Sequence, residues 1–265
     1  MAIIDHIVPR RVFGPLPSRP LKPQAPANEP DHRLGVLAFG DSITNGGGEL
    51  QWGVALQSWA LWVARALGLP YTGYAVDGAR AADVVVQQIP AFAHRCANPD
   101  AGYDVGCLYV GVNDVRALDW DLAAFERDYA RALEFLAARC RRTVALTLPL
   151  GLGVPPAGAK VGQANAVIER LTGEHGTLIV DLSGFGARNQ VMADRVHPTA
   201  FGQIAIAERA LAVLRDHGLP MRVAPATLIR YETTALGRLR GDVTYVFRSA
   251  KEQARALREW WRVRG

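Results

Sequence analysis

Lysine is nearly missing from this 265-residue chain: of its 30 basic residues only Lys22, Lys160 and Lys251 are lysine. Beside the richness in alanine, that bias fits a GC-rich bacterial genome better than a functional demand. Cysteine is also scarce. Cys96, Cys107 and Cys140 are odd in number, lack metal-ligand spacing and fall in segments that read as helix or strand. A disulfide framework is therefore excluded, and buried, reduced thiols are expected. No apolar run approaches the roughly 18 residues of a membrane span. The first twenty residues, MAIIDHIVPRRVFGPLPSRP, show neither a basic leader followed by an apolar run nor a small-residue cleavage site. These absences predict a cytoplasmic chain. Neither nucleotide fingerprint is met, since Gly46-Gly47-Gly48 is followed by no Gly-Lys-Ser/Thr and no Gly-x-Gly-x-x-Gly exists. No metal or other cofactor is expected.

What is present is enough for one large core, with 49% apolar residues. Charge is placed unevenly. Residues 222–265 hold ten Arg/Lys against four Asp/Glu, while the whole chain is +5, so the first 221 residues carry one net negative charge. The basic balance belongs to a tail, which removes the usual support for a nucleic-acid partner.

Three segments follow from this. Residues 1–33 hold seven of the sixteen prolines and read as an extended arm. Residues 34–221 alternate apolar runs with amphipathic stretches. The runs Gly35–Phe39, Tyr71–Val76, Val105–Val110, Thr143–Leu148 and Leu178–Asp181 read as buried parallel strands. Helices are expected over Trp52–Leu67, Ala82–His94, Leu122–Arg139, Gly162–His175 and Ala200–Arg215. This alternation predicts a three-layer α/β/α sandwich on a five-stranded parallel sheet, with ligands bound beyond the carboxyl ends of the strands. Residues 222–265 form a basic extension.

Four short motifs fall where such a sheet places a site: Asp41-Ser42-Ile43-Thr44 after the first strand, Val76-Asp77-Gly78 after the second, Gly111-Val112-Asn113-Asp114 after the third, and Asp194-Arg195-Val196-His197-Pro198 after the fifth. Taken singly each has a plain reading, as a helix cap, a glycine turn, an Asx turn or a structural histidine. Together they supply a nucleophile, a base, a carboxylate to orient it and donors for an oxyanion, which is the requirement of acyl transfer. At these residues the chain resembles the SGNH (GDSL-type) hydrolase family, whose signature residues correspond to Ser42, Gly78, Asn113 and His197. The resemblance runs from about Leu34 to Leu214. It implies Ser42 as nucleophile, His197 as general base and Asp194 as its orienting acceptor. The Ser42 and Gly78 amides and the Asn113 side chain would form the oxyanion hole, with Asp41 and Asp114 supporting the loops. The second block departs from the family pattern, with Gly73, Asp77 and Arg80 where Asn, Ser and Thr are common.

The expected activity is serine-dependent hydrolysis of a carboxylic ester, an acyl or acetyl group on a sugar or lipid. The alternative is transfer of the same acyl group, from a donor such as an acyl-CoA, to a sugar hydroxyl. Actinobacterial members of the family that octanoylate glucosylglycerate precursors are an example. A third reading, a non-catalytic module that binds through its tail, is the least supported. Trp52, following the nucleophile loop, is a candidate to touch an acyl chain. Arg80 and Arg116 are candidates to read an anionic group. In the tail, Val243, Phe247, Ala250, Ala254, Leu257 and Trp261 recur at helical spacing between arginines. Such a helix over 243–263 either docks on protein, this domain or a second copy, or lies on anionic membrane; docking on protein is the simpler expectation.

Overall fold

The computed structural model describes residues 34–96, 98, 101–231 and 233–264. The proline arm, 1–33, lies outside them. The apolar runs form strands β1 (Val36–Gly40), β2 (Tyr71–Gly73), β3 (Tyr103–Tyr109), β4 (Cys140–Leu146) and β5 (Leu178–Val180). They pair in the order β2-β1-β3-β4-β5, every pair parallel. β1 is inaccessible along Val36–Phe39, and burial of such side chains at roughly 1.5–3 kcal/mol each outweighs what their ladder hydrogen bonds add.

Helices cover both faces. One carries α2 (Trp59–Leu67) and α8 (Ala200–Asp216). The other carries α3 (Ala81–Asp83), α4 (Ile89–Arg95), α6 (Leu122–Arg139) and α7 (Ala159–Glu174). Two short helices, α1 (Ser42–Asn45) and α5 (Val112–Arg116), begin at the strand ends. A long helix, α9 (Ala235–Arg264), closes the described chain. In the 2-1-3-4-5 order the chain reverses direction across β1 and β3, so the loops leaving those two strands flank the crevice where such folds bind ligands.

The sequence expectations hold for sheet, strand order in the chain and layers. Several boundaries differ, for local reasons. The helix expected from Trp52 starts only at Trp59. Positive φ at Trp52 (50°) and Gly53 (80°) forms a tight turn bridged by Gln51 and Val54, and Ser58 then caps α2. The helix expected over Ala82–His94 is interrupted by a π turn at Val84–Gln88. Helix α5 was not anticipated; Gly111, with φ 123°, turns the chain directly from β3 into it. The tail helix starts at Ala235 rather than Val243, because the Thr234 hydroxyl caps it by accepting from the Gly237 amide at 3.0 Å. Of the three thiols, all free, only Cys107 is fully buried; Cys96 and Cys140 are partly exposed. Among the described residues no helix is long and apolar enough to cross a membrane.

Candidate active site

β1 leaves the sheet through Gly40, whose N–H and C=O are both held by one side chain. The Gln88 side chain accepts from the Gly40 amide (3.0 Å) and donates to its carbonyl (2.7 Å). A Cβ at Gly40 would meet the Tyr109 carbonyl at 2.3 Å. Asp41 then caps α1, its Oδ1 accepting from the Ile43 amide at 2.9 Å. Ser42, the first residue of α1, keeps an amide that has no intrahelical acceptor by position. Gln203 of α8, fully buried, accepts from the Trp59 amide and donates to the carbonyls of Ile43 (2.9 Å) and Gly47 (3.0 Å). The Ser42 turn is thereby fixed to the α2–α8 face.

The fourth motif reaches Ser42 from the far end of the sheet. Ser42 Oγ lies 3.1 Å from His197 Nε2, and His197 Nδ1 lies 2.7 Å from Asp194 Oδ2. Arg195 between them adopts φ 56°, which folds Asp194 back under the imidazole. The other Asp194 oxygen accepts from the amides of Val196 and His197 at 2.9 and 3.1 Å. Burial by itself raises the Asp194 carboxyl, but these hydrogen bonds outweigh it and hold the group below its ordinary range. An ionised Asp194 can only accept, so Nδ1 carries the proton and Nε2 presents a lone pair to Ser42. The same hydrogen bond raises the imidazole pKa against the effect of burial.

The second and third motifs are laced to this pair. Asn45 donates to Asp77 at 2.9 Å, linking α1 to the Gly78 loop. Asn113 donates one hydrogen of its amide to the Ala79 carbonyl at 3.0 Å, and the second meets no acceptor among the described residues. Asp114 accepts from the Ala81 amide with both oxygens at 3.2 Å, and burial pushes its carboxyl up to about 6. Gly78, with φ 78°, is exposed, and its amide meets no acceptor among the described residues.

The remaining sequence candidates separate. Arg80 is spent on Asp119, both of whose oxygens accept from it at 3.0 Å at the surface. Arg116, also exposed, lies close enough to His197 for its charge to oppose imidazole protonation. Trp52 packs into an aromatic cluster with Phe201 (5.4 Å) and Tyr231 (6.0 Å). Sequence reading missed Gln88 and Gln203, although both interrupt apolar helical stripes: Val84, Gln88, Phe92 in one, and Gln203, Ala207, Leu211, Leu214 in the other. A cavity of about 280 Å³ lies behind the His197 loop, lined by Ile43, Tyr109, Phe185, Arg195, Val196 and Tyr245 among others, and neither Ser42 nor His197 borders it. Among the described residues no group of three or more His, Cys, Asp or Glu could hold a metal ion.

A hydroxyl, an imidazole and a carboxylate in one hydrogen-bonded line, beside unused N–H groups, form the constellation of serine acyl hydrolases. The chain belongs to the GDSL-like lipase/acylhydrolase family, whose model matches residues 38–204, and it is an enzyme of the carboxylic ester hydrolase class. Solved structures with the same fold include the acetylxylan esterase of Geobacillus stearothermophilus, 20% identical over 68% of this chain and 93% of that one, with a TM-score of 0.52. A member of the lipolytic G-D-S-L family from Veillonella parvula is also 20% identical, over 68% and 98% of the two chains, at a TM-score of 0.54. An α/β hydrolase from the metagenome of Lake Arreo, Spain, is 20% identical over 68% and 94%, at 0.53. No curated protein sequence matches the chain.

Asp41 yields a prediction independent of chemistry. Its Oδ2 is buried without a partner, and burial raises the carboxyl from 3.8 to about 7. The native state therefore holds a proton that the unfolded chain releases. The stability this contributes is full below the unfolded pKa and is lost as pH rises through 7. Asp41→Asn keeps the acceptor for the Ile43 amide, so its melting temperature, relative to the wild type, should be higher at pH 8 than at pH 4. An identical difference at both pH values would mean that the carboxyl is not held protonated.

Proposed function

We propose that the chain hydrolyses a carboxylic ester through an acyl-enzyme on Ser42. The observation that carries this reading is the hydrogen-bonded line from Ser42 Oγ through His197 to Asp194, at 3.1 and 2.7 Å. Ser42 Oγ attacks the ester carbonyl while His197 Nε2 takes its proton, and Asp194 stabilises the imidazolium that forms. The oxyanion is met by the Ser42 amide at the start of α1, the Gly78 amide and the second hydrogen of the Asn113 side chain. Collapse expels the alcohol, which carries off the proton held on His197. Water then attacks the acyl-enzyme and gives its proton to Nε2, and collapse releases the acid as Nε2 returns that proton to Ser42 Oγ. Asp41 and Asp114 hold the loops that aim these groups.

The alcohol carries the specificity question. Arg116 stands beside His197 with no carboxylate partner among the described residues, whereas Arg80 is paired. An ester whose alcohol bears an anionic group, on a sugar or lipid scaffold, suits that arrangement. The similarity to an acetylxylan esterase favours a short acyl group on a sugar.

Three tests follow. Ser42→Ala should remain folded, lose activity by several orders of magnitude and escape labelling by a serine-directed phosphonate; labelling at the wild-type rate would remove Ser42 from the role. Because His197 acts as the neutral base and its pKa is raised, kcat/KM should fall as pH drops through a value above the ordinary imidazole figure of about 6.5. Asp194→Asn should move that limb to lower pH and cut the rate; an unmoved limb would assign the orienting role elsewhere. Mass spectrometry of products formed from a p-nitrophenyl acetate donor, with and without sugar acceptors, should show free acid in both. A new sugar ester formed at the expense of the acid would replace hydrolysis by transfer.

A further inference from the structure

Helix α9 is docked back to front. At about 100° per residue, its half-buried positions Gly237, Tyr245, Ser249, Glu252 and Ala256 gather on one side. From that side Asp242 pairs with Arg188 at 2.8 Å, the Tyr245 ring lies 5.2 Å from the Arg188 guanidinium, and Arg248 pairs with Glu49. The apolar residues occupy the opposite side. Leu236, Leu239, Val243, Val246, Phe247 and Leu257 are 59–74% exposed, and they share an arc of roughly 100°. Of the two protein surfaces expected for this stripe, this domain and a second copy, it does not pack on the first. Small and polar side chains make the contact, and the stripe faces away.

Charge on α9 is divided between the two sides, with Arg238, Arg248 and Arg255 on or beside the docked one. Asp242 and Glu252 lie on or beside the docked side, whereas Arg240, Lys251 and Arg258 are exposed along one margin of the stripe. What covers this face must be apolar at its centre and negative at its border. Nucleic acid meets the second condition only. In a two-fold antiparallel pairing with a second copy, each basic margin would face its own equivalent, and like charges oppose that contact. An anionic bilayer meets both conditions: the stripe sinks to the acyl boundary and the arginine and lysine stems reach back to the headgroups. We infer that α9 is a membrane-surface helix that seats this enzyme on anionic lipid. The inference stands apart from the proposed chemistry, since it draws on no catalytic residue.

The test uses the full chain with sedimentation of sucrose-loaded vesicles. Vesicles of phosphatidylcholine with phosphatidylglycerol should carry the protein down, phosphatidylcholine alone should not, and raising salt from 0.05 to 0.5 M should release it. Replacing Arg240, Lys251 and Arg258 together by glutamine should weaken partitioning by roughly 100-fold, at about fivefold per charge near the surface. Val243→Glu with Phe247→Glu should abolish it. Both variants should keep the wild-type melting temperature, because every position lies at the surface. Protein left in the supernatant with anionic vesicles, or carried down equally by the double glutamate variant, overturns the inference. So does a dimer in light scattering that the double variant converts to monomer, which would assign the stripe to a second copy.

Discussion

The rigidity of the site depends on one residue, Gly40, and the two peptide groups that flank it. Strand β1 is buried on both faces, so the chain leaving it has no water to satisfy its polar groups and must find protein partners. Gln88 supplies an acceptor for the Gly40 N–H and a donor for its carbonyl, which also accepts from the Val76 amide. The space for a side chain is taken by the Tyr109 carbonyl of the neighbouring strand. Ser42 is two residues further on, so its position is inherited from the sheet rather than from a loop. Gln203 repeats the device on the other face, holding the carbonyls of Ile43 and Gly47 from within α8.

The carboxylates around Ser42 show how one residue type serves different ends. Asp194 receives three hydrogen bonds and retains partial exposure, so it stays ionised beside an imidazole that needs a negative neighbour. Asp41 is fully enclosed with one oxygen unanswered, and Asp114 is nearly so. Burial raises both carboxyls, to about 7 and about 6. Negative charge beside the hydroxyl is thus reduced at Asp41, while Asp194 stays charged behind the imidazole, where it does not oppose an oxyanion.

Much of this was legible in the sequence because the four motifs follow strands, and a parallel sheet turns sequence order into a common rim. The spacing of Asp194 and His197 fitted a single local turn, although the left-handed Arg195 that makes it was not foreseeable from residue type. Trp52 misled because an aromatic before an amphipathic stretch looks like a helix start, and the positive φ of Trp52 itself carries no sequence signal. Arg80 and Arg116 were equivalent as letters; Asp119, 39 residues from Arg80, separates them. Gln88 and Gln203 were readable in retrospect, since a polar residue at an apolar position of a helical period is either an error of register or a buried hydrogen-bonding group. In the tail the period of the stripe was clear, but periodicity does not state which side a helix presents to its own domain.

The polar docking of α9 also shapes how the molecule comes apart. The sandwich closes over Phe39, Phe92 and Phe135, whose rings meet edge to face. Detaching α9 breaks ion pairs yet uncovers little apolar area, so that step carries a small heat-capacity change and scarcely responds to denaturant. On that account the helix is expected to open as a unit of its own, its amides exchanging with solvent while the hydrogens of β1 and β3 stay protected.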